Sequence, residues 1–230
     1  MDTPGEPVAE PTRSALVLYA VARGAVVGFC RVYWRLSIRG RGHVPESGAF
    51  ILAPVHRSNI DTLLVAGVTK RRLRYMGKAS LWKYGWSGWL LSALGGFPVH
   101  RGSADREALR ICREVLEGGE PLVMFPEGTR QSGPVVADLF DGPAYLAARM
   151  GVPIVPVGVG GSERAMPKGT KVIRPVKATV IVGEPIVPDA TPTTRVARSA
   201  VRRLSERMQK EVQRLFDEAQ AAAGSPNPGR

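Results

Sequence analysis

The chain has 230 residues and a formal net charge of +12, with a sequence pI near 10.4. That length supports one α/β domain with a sizeable core, and the charge calls for an anionic partner. Aromatics make up only 7% of the chain and no RNA- or DNA-binding module signature is present, which argues against nucleic acid and for acidic lipid or a phosphorylated substrate. The two cysteines, Cys30 and Cys112, sit in apolar helical patterns. They give no disulfide framework, which suits a reducing compartment, and no Cys–His spacing points to a metal site.

Residues 1–13 carry three prolines and several acidic residues and read as a disordered tail. Residues 14–36 are helical in pattern and strongly apolar, from Leu16 through Val27 and Phe29 to Leu36. Arg23 interrupts the run and Arg13, Arg31 and Arg35 flank it, so it suits a helix lying in a membrane interface better than one crossing the bilayer. Packing on the domain's own core is the competing reading. The expected main domain spans residues 37–223, and residues 224–230 read as a second tail.

Leu36 to Arg39 is the first strand candidate. Ala49 to Pro54 is an apolar run that reads as a buried strand, followed by His56-Arg57-Ser58-Asn59-Ile60-Asp61 and a short helix. Ser58 and Asn59 are candidate N-caps. The imidazole thus lies where a strand ends and a helix begins, the usual place for ligand contact in an open α/β sheet. Asp61 in the first helical turn is favoured by the helix dipole and is able to reach back to one ring nitrogen of His56. Residues 70–78, with five cations including Lys78, read as a loop and strand edge.

Residues 80–94 place Trp82, Trp86 and Trp89 at i, i+4 and i+7, one helix face. Gly85 and Gly88 weaken a core helix, so an aromatic belt at a bilayer surface or the wall of an acyl groove competes with a core stripe. Phe97 to Val99 gives a short strand ending at Arg101, a natural bidentate phosphate ligand. Residues 104–117 form an amphipathic helix. Pro121 to Met124 is a strand candidate leading into Phe125-Pro126-Glu127-Gly128-Thr129-Arg130. Gly128 admits close approach to backbone, Arg130 adds positive charge, and neighbouring donors suit an anion nest. Glu127 reads equally as a ligand of a glycerol hydroxyl or as the residue positioning Arg101. Residues 131–141 read as a mobile active-site loop, 142–150 as a helix, and 152–159 and 176–182 as strands. From Thr194 to Ala223 runs a long amphipathic helix whose basic face would attract anionic lipid.

Four blocks, His56 to Asp61, Gly96 to Arg101, Phe125 to Arg130 and Val152 to Val157, stand in an order and spacing that resembles the glycerolipid acyltransferase family, of the 1-acylglycerol-3-phosphate acyltransferase type. The likeness covers roughly residues 36–185, and the H-x-x-x-x-D and P-E-G-T-R blocks together carry it. It implies an α/β fold with a mostly parallel central sheet flanked by helices. It implies direct attack of an acceptor hydroxyl on an acyl thioester, with His56 as base, Asp61 orienting it, and no covalent enzyme intermediate, metal or cofactor. Arg101, Arg130 and Lys78 would hold phosphate, with Glu127, Gly128 and Thr129 in the acceptor site. The donor would be acyl-CoA or acyl carrier protein, and the acceptor a glycerophosphate or lysophospholipid. The expected location is the cytoplasmic face of a cell membrane, held peripherally. A non-catalytic protein binding anionic lipid in the same pocket is the alternative, although phosphate binding alone needs neither His56 nor Asp61.

Overall fold

The computed structural model describes residues 12–99, 105–189 and 196–227. Residues 1–11 and 228–230 of the two tails, Arg101, Arg195 and the side chains of Lys78 and Trp86 lie outside the described residues. Short apolar runs separated by helical patterns build a seven-stranded sheet in the order β1-β7-β6-β2-β5-β3-β4. The strands are β1 (Ser37–Arg39), β2 (Ile51–Pro54), β3 (Arg74–Lys78), β4 (Gly96–Val99), β5 (Leu122–Val123), β6 (Ile154–Gly160) and β7 (Thr179–Val182). Every pairing is parallel except β6 with β7. Strands β2, β5 and β6 are buried along their whole length, as expected for a parallel sheet covered on both faces.

The helices are α1 (Arg13–Tyr33), α2 (Asp61–Val65), α3 (Gly85–Ala93), α4 (Asp105–Glu117), α5 (Gly142–Met150), α6 (Ser162–Ala165) and α7 (Arg198–Ala222). Local chemistry sets several ends. Helix α5 opens with Pro143 in its first turn and closes at Gly151, whose φ of 66° suits glycine. Side chains alternate across each strand, so sheet faces are told apart by register. On β1, Ile38 lies against Gly67, which also faces Val27 of α1. One residue further round, Ile181 of β7 clusters with Leu215 and Ala219 of α7. Helix α1 contacts α2 and α3, and α5 contacts α4 and α7. The sheet is therefore a wall between an α1 layer and an α7 layer.

Helix α7 sits unusually close to that wall. A Cβ on Gly158 would strike the carbonyl of Leu215, and one on Gly160 the carbonyl of Ala219. Two glycines two residues apart on one face let the helix backbone rest on the strand backbone. The basic face of α7 is partly spent internally: Arg202 pairs with Glu206, Arg207 with Asp189, and Arg214 with Glu211 and Glu218. It also lies across the sheet from α1.

Helix α1 docks through a narrow stripe and leaves the rest bare. Tyr19, Val27 and Cys30 are buried. The Tyr19 hydroxyl donates to the carbonyl of Arg71 and accepts from the amide of Leu73, and Arg23 Nε donates to the carbonyl of Ala66. Leu16, Val17, Val21, Phe29 and Val32 are exposed. The helix is long and apolar enough to cross a membrane by length and composition, with 17% of its most apolar window buried. Packing on the domain is thus seen along one stripe of the helix, while its other faces are apolar and bare.

The tryptophans do not form one helical face. Trp82 ends a 3-10 turn (Ala79–Trp82), and α3 begins only at Gly85. The Trp82 indole covers Gly77 and Gly96, where any Cβ would collide, and its Nε1 donates to Ser92 Oγ at 3.0 Å. Trp89 points outward and is 66% exposed. The break at Lys83 and Tyr84 rotates Trp82 out of the i, i+4 register. Cys30 and Cys112 are both buried free thiols, and burial pushes them up to about 11 and about 12, so each behaves as a small hydrophobe.

Candidate active site

Adjacent parallel strands bring the two motif blocks together. Strands β2 and β5 pair in parallel, Ile51 with Leu122 and Leu52 with Val123. Their C-terminal ends therefore lie side by side, and the chain leaves them at His56 and at Phe125. The amide of Gln131 donates to the carbonyl of His56 at 2.9 Å, and the His56 and Phe125 rings stack with centroids 4.0 Å apart.

Asp61 is fully buried and His56 is 17% exposed through its side chain. Asp61 Oδ2 accepts three hydrogen bonds: from His56 Nδ1 at 3.0 Å and from the amides of Arg57 and Ser58, both at 2.7 Å. The carboxylate thus folds back on the loop and replaces the cap expected from Ser58 or Asn59. The N-cap is Ile60, with no side-chain bond, and Ser58 Oγ instead donates to the carbonyl of Met166. Asp61 Oδ1 is buried without a partner, which leaves the charge of the carboxylate incompletely neutralised. With Nδ1 bound to a carboxylate, the tautomer is fixed and Nε2 is the nitrogen free to accept a proton.

Glu127 is not a substrate ligand in this geometry. It is 2% exposed and accepts from Arg57 Nη1 on both oxygens at 2.8 Å, from the amide of His56 at 2.9 Å and from the amide of Ala137 at 3.0 Å. Among the described residues its oxygens are occupied by Arg57 and two backbone amides rather than open to a glycerol hydroxyl, and Arg101, which it was expected to position, lies outside the described residues. Arg57 is 1% exposed and spends its remaining donors on the carbonyls of His56, Gly133 and Val135, while its guanidinium lies 4.7 Å from the centre of the Phe216 ring. The Arg57–Glu127 pair thus ties the His56 loop, the 127–137 loop and α7 into one unit. Arg57 was overlooked at the sequence level. A charged residue beside the candidate base His56, with an acid in the partner block, was the available signal.

The space over Gly128 is also filled. Gly128 has φ 68° and a Cβ there would meet the Phe140 ring at 2.5 Å. The loop expected to be mobile is strapped to α7: Gln209 Nε2 donates to the carbonyls of Val136 and Ala137, and Gln213 bonds the amide of Val136 and the carbonyl of Pro134. Thr129 is exposed. Arg130, one residue before the amide that binds His56, is half-buried and has no ion-pair or hydrogen-bond partner among the described residues. It is an available cation next in sequence to the residue whose amide holds the His56 carbonyl. Lys78 ends β3, paired with Val99 of β4. No group of three or more His, Cys, Asp or Glu suited to a metal occurs among the described residues.

Residues 35–160 match the acyltransferase family model, more than half of the chain. The chain belongs to the acyltransferase family. Its curated relatives include the 1-acyl-sn-glycerol-3-phosphate acyltransferase of Bacillus subtilis, 28% identical over 66% of this chain and 76% of that protein. A chloroplastic enzyme of the same name from Arabidopsis thaliana is 28% identical over 67% of this chain. The chain matches only 44% of that relative's length. Among solved structures, the 1-acyl-sn-glycerophosphate acyltransferase PlsC of Thermotoga maritima superposes with a TM-score of 0.70 at 24% identity, over 89% of this chain and 83% of that one. That likeness supports the α/β architecture described above.

Proposed function

We propose that the protein transfers a fatty acyl group from an acyl thioester to a hydroxyl of a glycerol-phosphate acceptor, 1-acylglycerol-3-phosphate foremost, to give phosphatidic acid. The observation that carries this reading is the His56–Asp61 pair at the C-terminal edge of the sheet, with the uncommitted Arg130 in the loop that bonds the His56 carbonyl. The names of the curated relatives support the acceptor.

In this scheme His56 Nε2 takes the proton of the acceptor hydroxyl as its oxygen attacks the thioester carbonyl, and Asp61 stabilises the imidazolium. The tetrahedral oxyanion then collapses, the carbon–sulfur bond breaks, and the leaving thiolate takes the proton back from His56. Ser58 is not the nucleophile, since its hydroxyl is committed to Met166. Arg130, with Arg101 and Lys78 as further ligands, binds the acceptor phosphate, so that binding energy places the hydroxyl at the thioester. Acyl-CoA or acyl carrier protein serves as donor, and the scheme draws on no metal or cofactor. The exposed face of α1, with the neighbouring Leu81, Tyr84 and Trp89, seats the enzyme on the membrane that supplies the acceptor.

The test is thiol release from acyl-CoA with and without 1-acylglycerol-3-phosphate, with product position read by mass spectrometry. Release should require the acceptor. His56→Ala should lower it by about 10²–10⁴ without changing thermal stability. Tight lipid binding with no acceptor-dependent release would overturn the proposal in favour of a lipid-binding protein.

A further inference from the structure

A second cationic site lies away from His56, under α1. A cavity of about 360 Å³ opens between α1 and the segments around Arg41 and Gly67–Lys70. Its polar wall is Arg23, Arg31, Arg41 and Lys70, and its apolar floor is Val27 and Val68. Gly24 and Gly28 leave the α1 side of the cavity bare, with open space where their Cβ atoms would stand.

Topology separates this cavity from the acyl-transfer site. His56 follows the C-terminal end of β2. Residues 67–70 lead into β3, whose Arg74 pairs with Leu122, the residue that pairs with Ile51 at the start of β2. Arg41 follows β1, which runs parallel to β7 and so antiparallel to β6 and β2. Both segments therefore lie at the opposite edge of the sheet from His56.

Four cations converge here without a counter-ion. None of the four forms an ion pair among the described residues, and Arg23 alone has a fixed bond, to the carbonyl of Ala66. Crowding is felt: burial, then the charges of Arg31 and Arg23, push the Arg41 guanidinium below its ordinary value. Clustered like charges repel, and a bound anion relieves that cost. On this side of the sheet the neighbouring surface is the exposed apolar face of α1. An anion arriving here with an acyl chain attached would place the chain along α1 and its phosphate in the cavity.

We propose that this cavity binds the phosphate of an anionic phospholipid and is separate from the acyl-transfer site. The proposal rests on the membrane seating of α1 suggested above. It assigns to these residues the electrostatic attraction that α7, on the far face of the sheet, is badly placed to supply.

The test is partitioning of the full chain onto phosphatidylcholine vesicles with and without phosphatidylglycerol. Binding to pure phosphatidylcholine reports α1 alone, and its absence would sink the membrane reading itself. The increment on adding phosphatidylglycerol reports the cavity. Combined Arg31→Gln, Arg41→Gln and Lys70→Gln should reduce that increment by on the order of a hundredfold, at roughly fivefold per basic residue. Binding to phosphatidylcholine and turnover of detergent-dispersed acceptor should be unchanged. The control removes the same charge from α7, at Arg198, Arg203 and Lys210, all exposed and without ion pairs among the described residues. It should shift the increment only a few-fold. Equal losses in both triple variants would reduce the effect to net charge and overturn the site, as would an unaltered increment in the cavity variant. Replacing chloride by inorganic phosphate at constant ionic strength should leave the increment intact. Its disappearance would identify a free-phosphate site and refute the lipid assignment.

Discussion

Glu127→Ala tests whether the acid of the second motif block serves structure or substrate. The substitution removes an acceptor of four hydrogen bonds from a site 2% exposed. It strands the Arg57 charge, which keeps only three backbone carbonyls and the Phe216 ring, and it leaves the amides of His56 and Ala137 without partners. Breaking a buried ion pair by deleting one partner costs about 3–5 kcal/mol. For a chain of this size that corresponds to a fall in Tm of roughly 6–20 °C. Arg57→Met should fall similarly, because it strands the carboxylate. The double variant Arg57→Met with Glu127→Leu should be less destabilised than the sum, since no unpaired charge remains. Thermal unfolding gives the stabilities, and acceptor-dependent thiol release gives the activities. Activity should drop in both single variants along with stability. If Glu127→Ala abolishes activity while Tm stays within a degree or so and Arg57→Met is silent, the structural role is refuted and Glu127 contacts substrate.

Asp61→Asn should lower kcat by about 10²–10⁴ with little change in donor affinity, because an amide favours the wrong imidazole tautomer; steady-state kinetics against both substrates check this. Arg130→Ala should lower kcat/KM for a phosphorylated acceptor roughly ten- to a hundredfold, from about 1.5–3 kcal/mol for a charge-assisted bond. Lysine there should rescue it only in part, and a loss confined to the donor would reassign the residue to the phosphates of coenzyme A. Gly158→Ala should destabilise by about 1–3 kcal/mol or more, through collision with the carbonyl of Leu215, and chemical denaturation will show whether α7 is lifted. A cost below a few tenths would mean that the helix slides freely on the strand.

Elements defined by uninterrupted apolar runs were legible in the sequence. Strands β2 and β6 and helix α5 lie within a residue or two of their expected limits, because burial on both sheet faces writes itself as a continuous hydrophobic stretch. The His56–Asp61 contact was legible too, since the strand-to-helix turn fixes the reach of a side chain five residues on. Pairings between distant charges were not. Glu127 and Arg57 lie 70 residues apart, and nothing local distinguishes an inward arginine–carboxylate pair from two surface charges or two phosphate ligands. The tryptophan spacing misled because it assumed an unbroken helix, whereas the chain turns at Lys83 and Tyr84 so that Trp82 covers glycines. The faces of the sheet were equally hidden: helical periodicity shows that α7 has an apolar side but not which side of the wall it occupies.

The strapping of the 134–137 loop to α7 fixes an order of events during synthesis. Helix α1 leaves the ribosome well before either motif block, so a nascent chain is able to seek the bilayer with its N-terminal segment while the rest is still being made. The Arg57 guanidinium waits for Phe216, and the loop amides wait for Gln209 and Gln213. Until those residues emerge, the histidine loop lacks its third anchor. The geometry around His56 is therefore completed only once the C-terminal helix has been made.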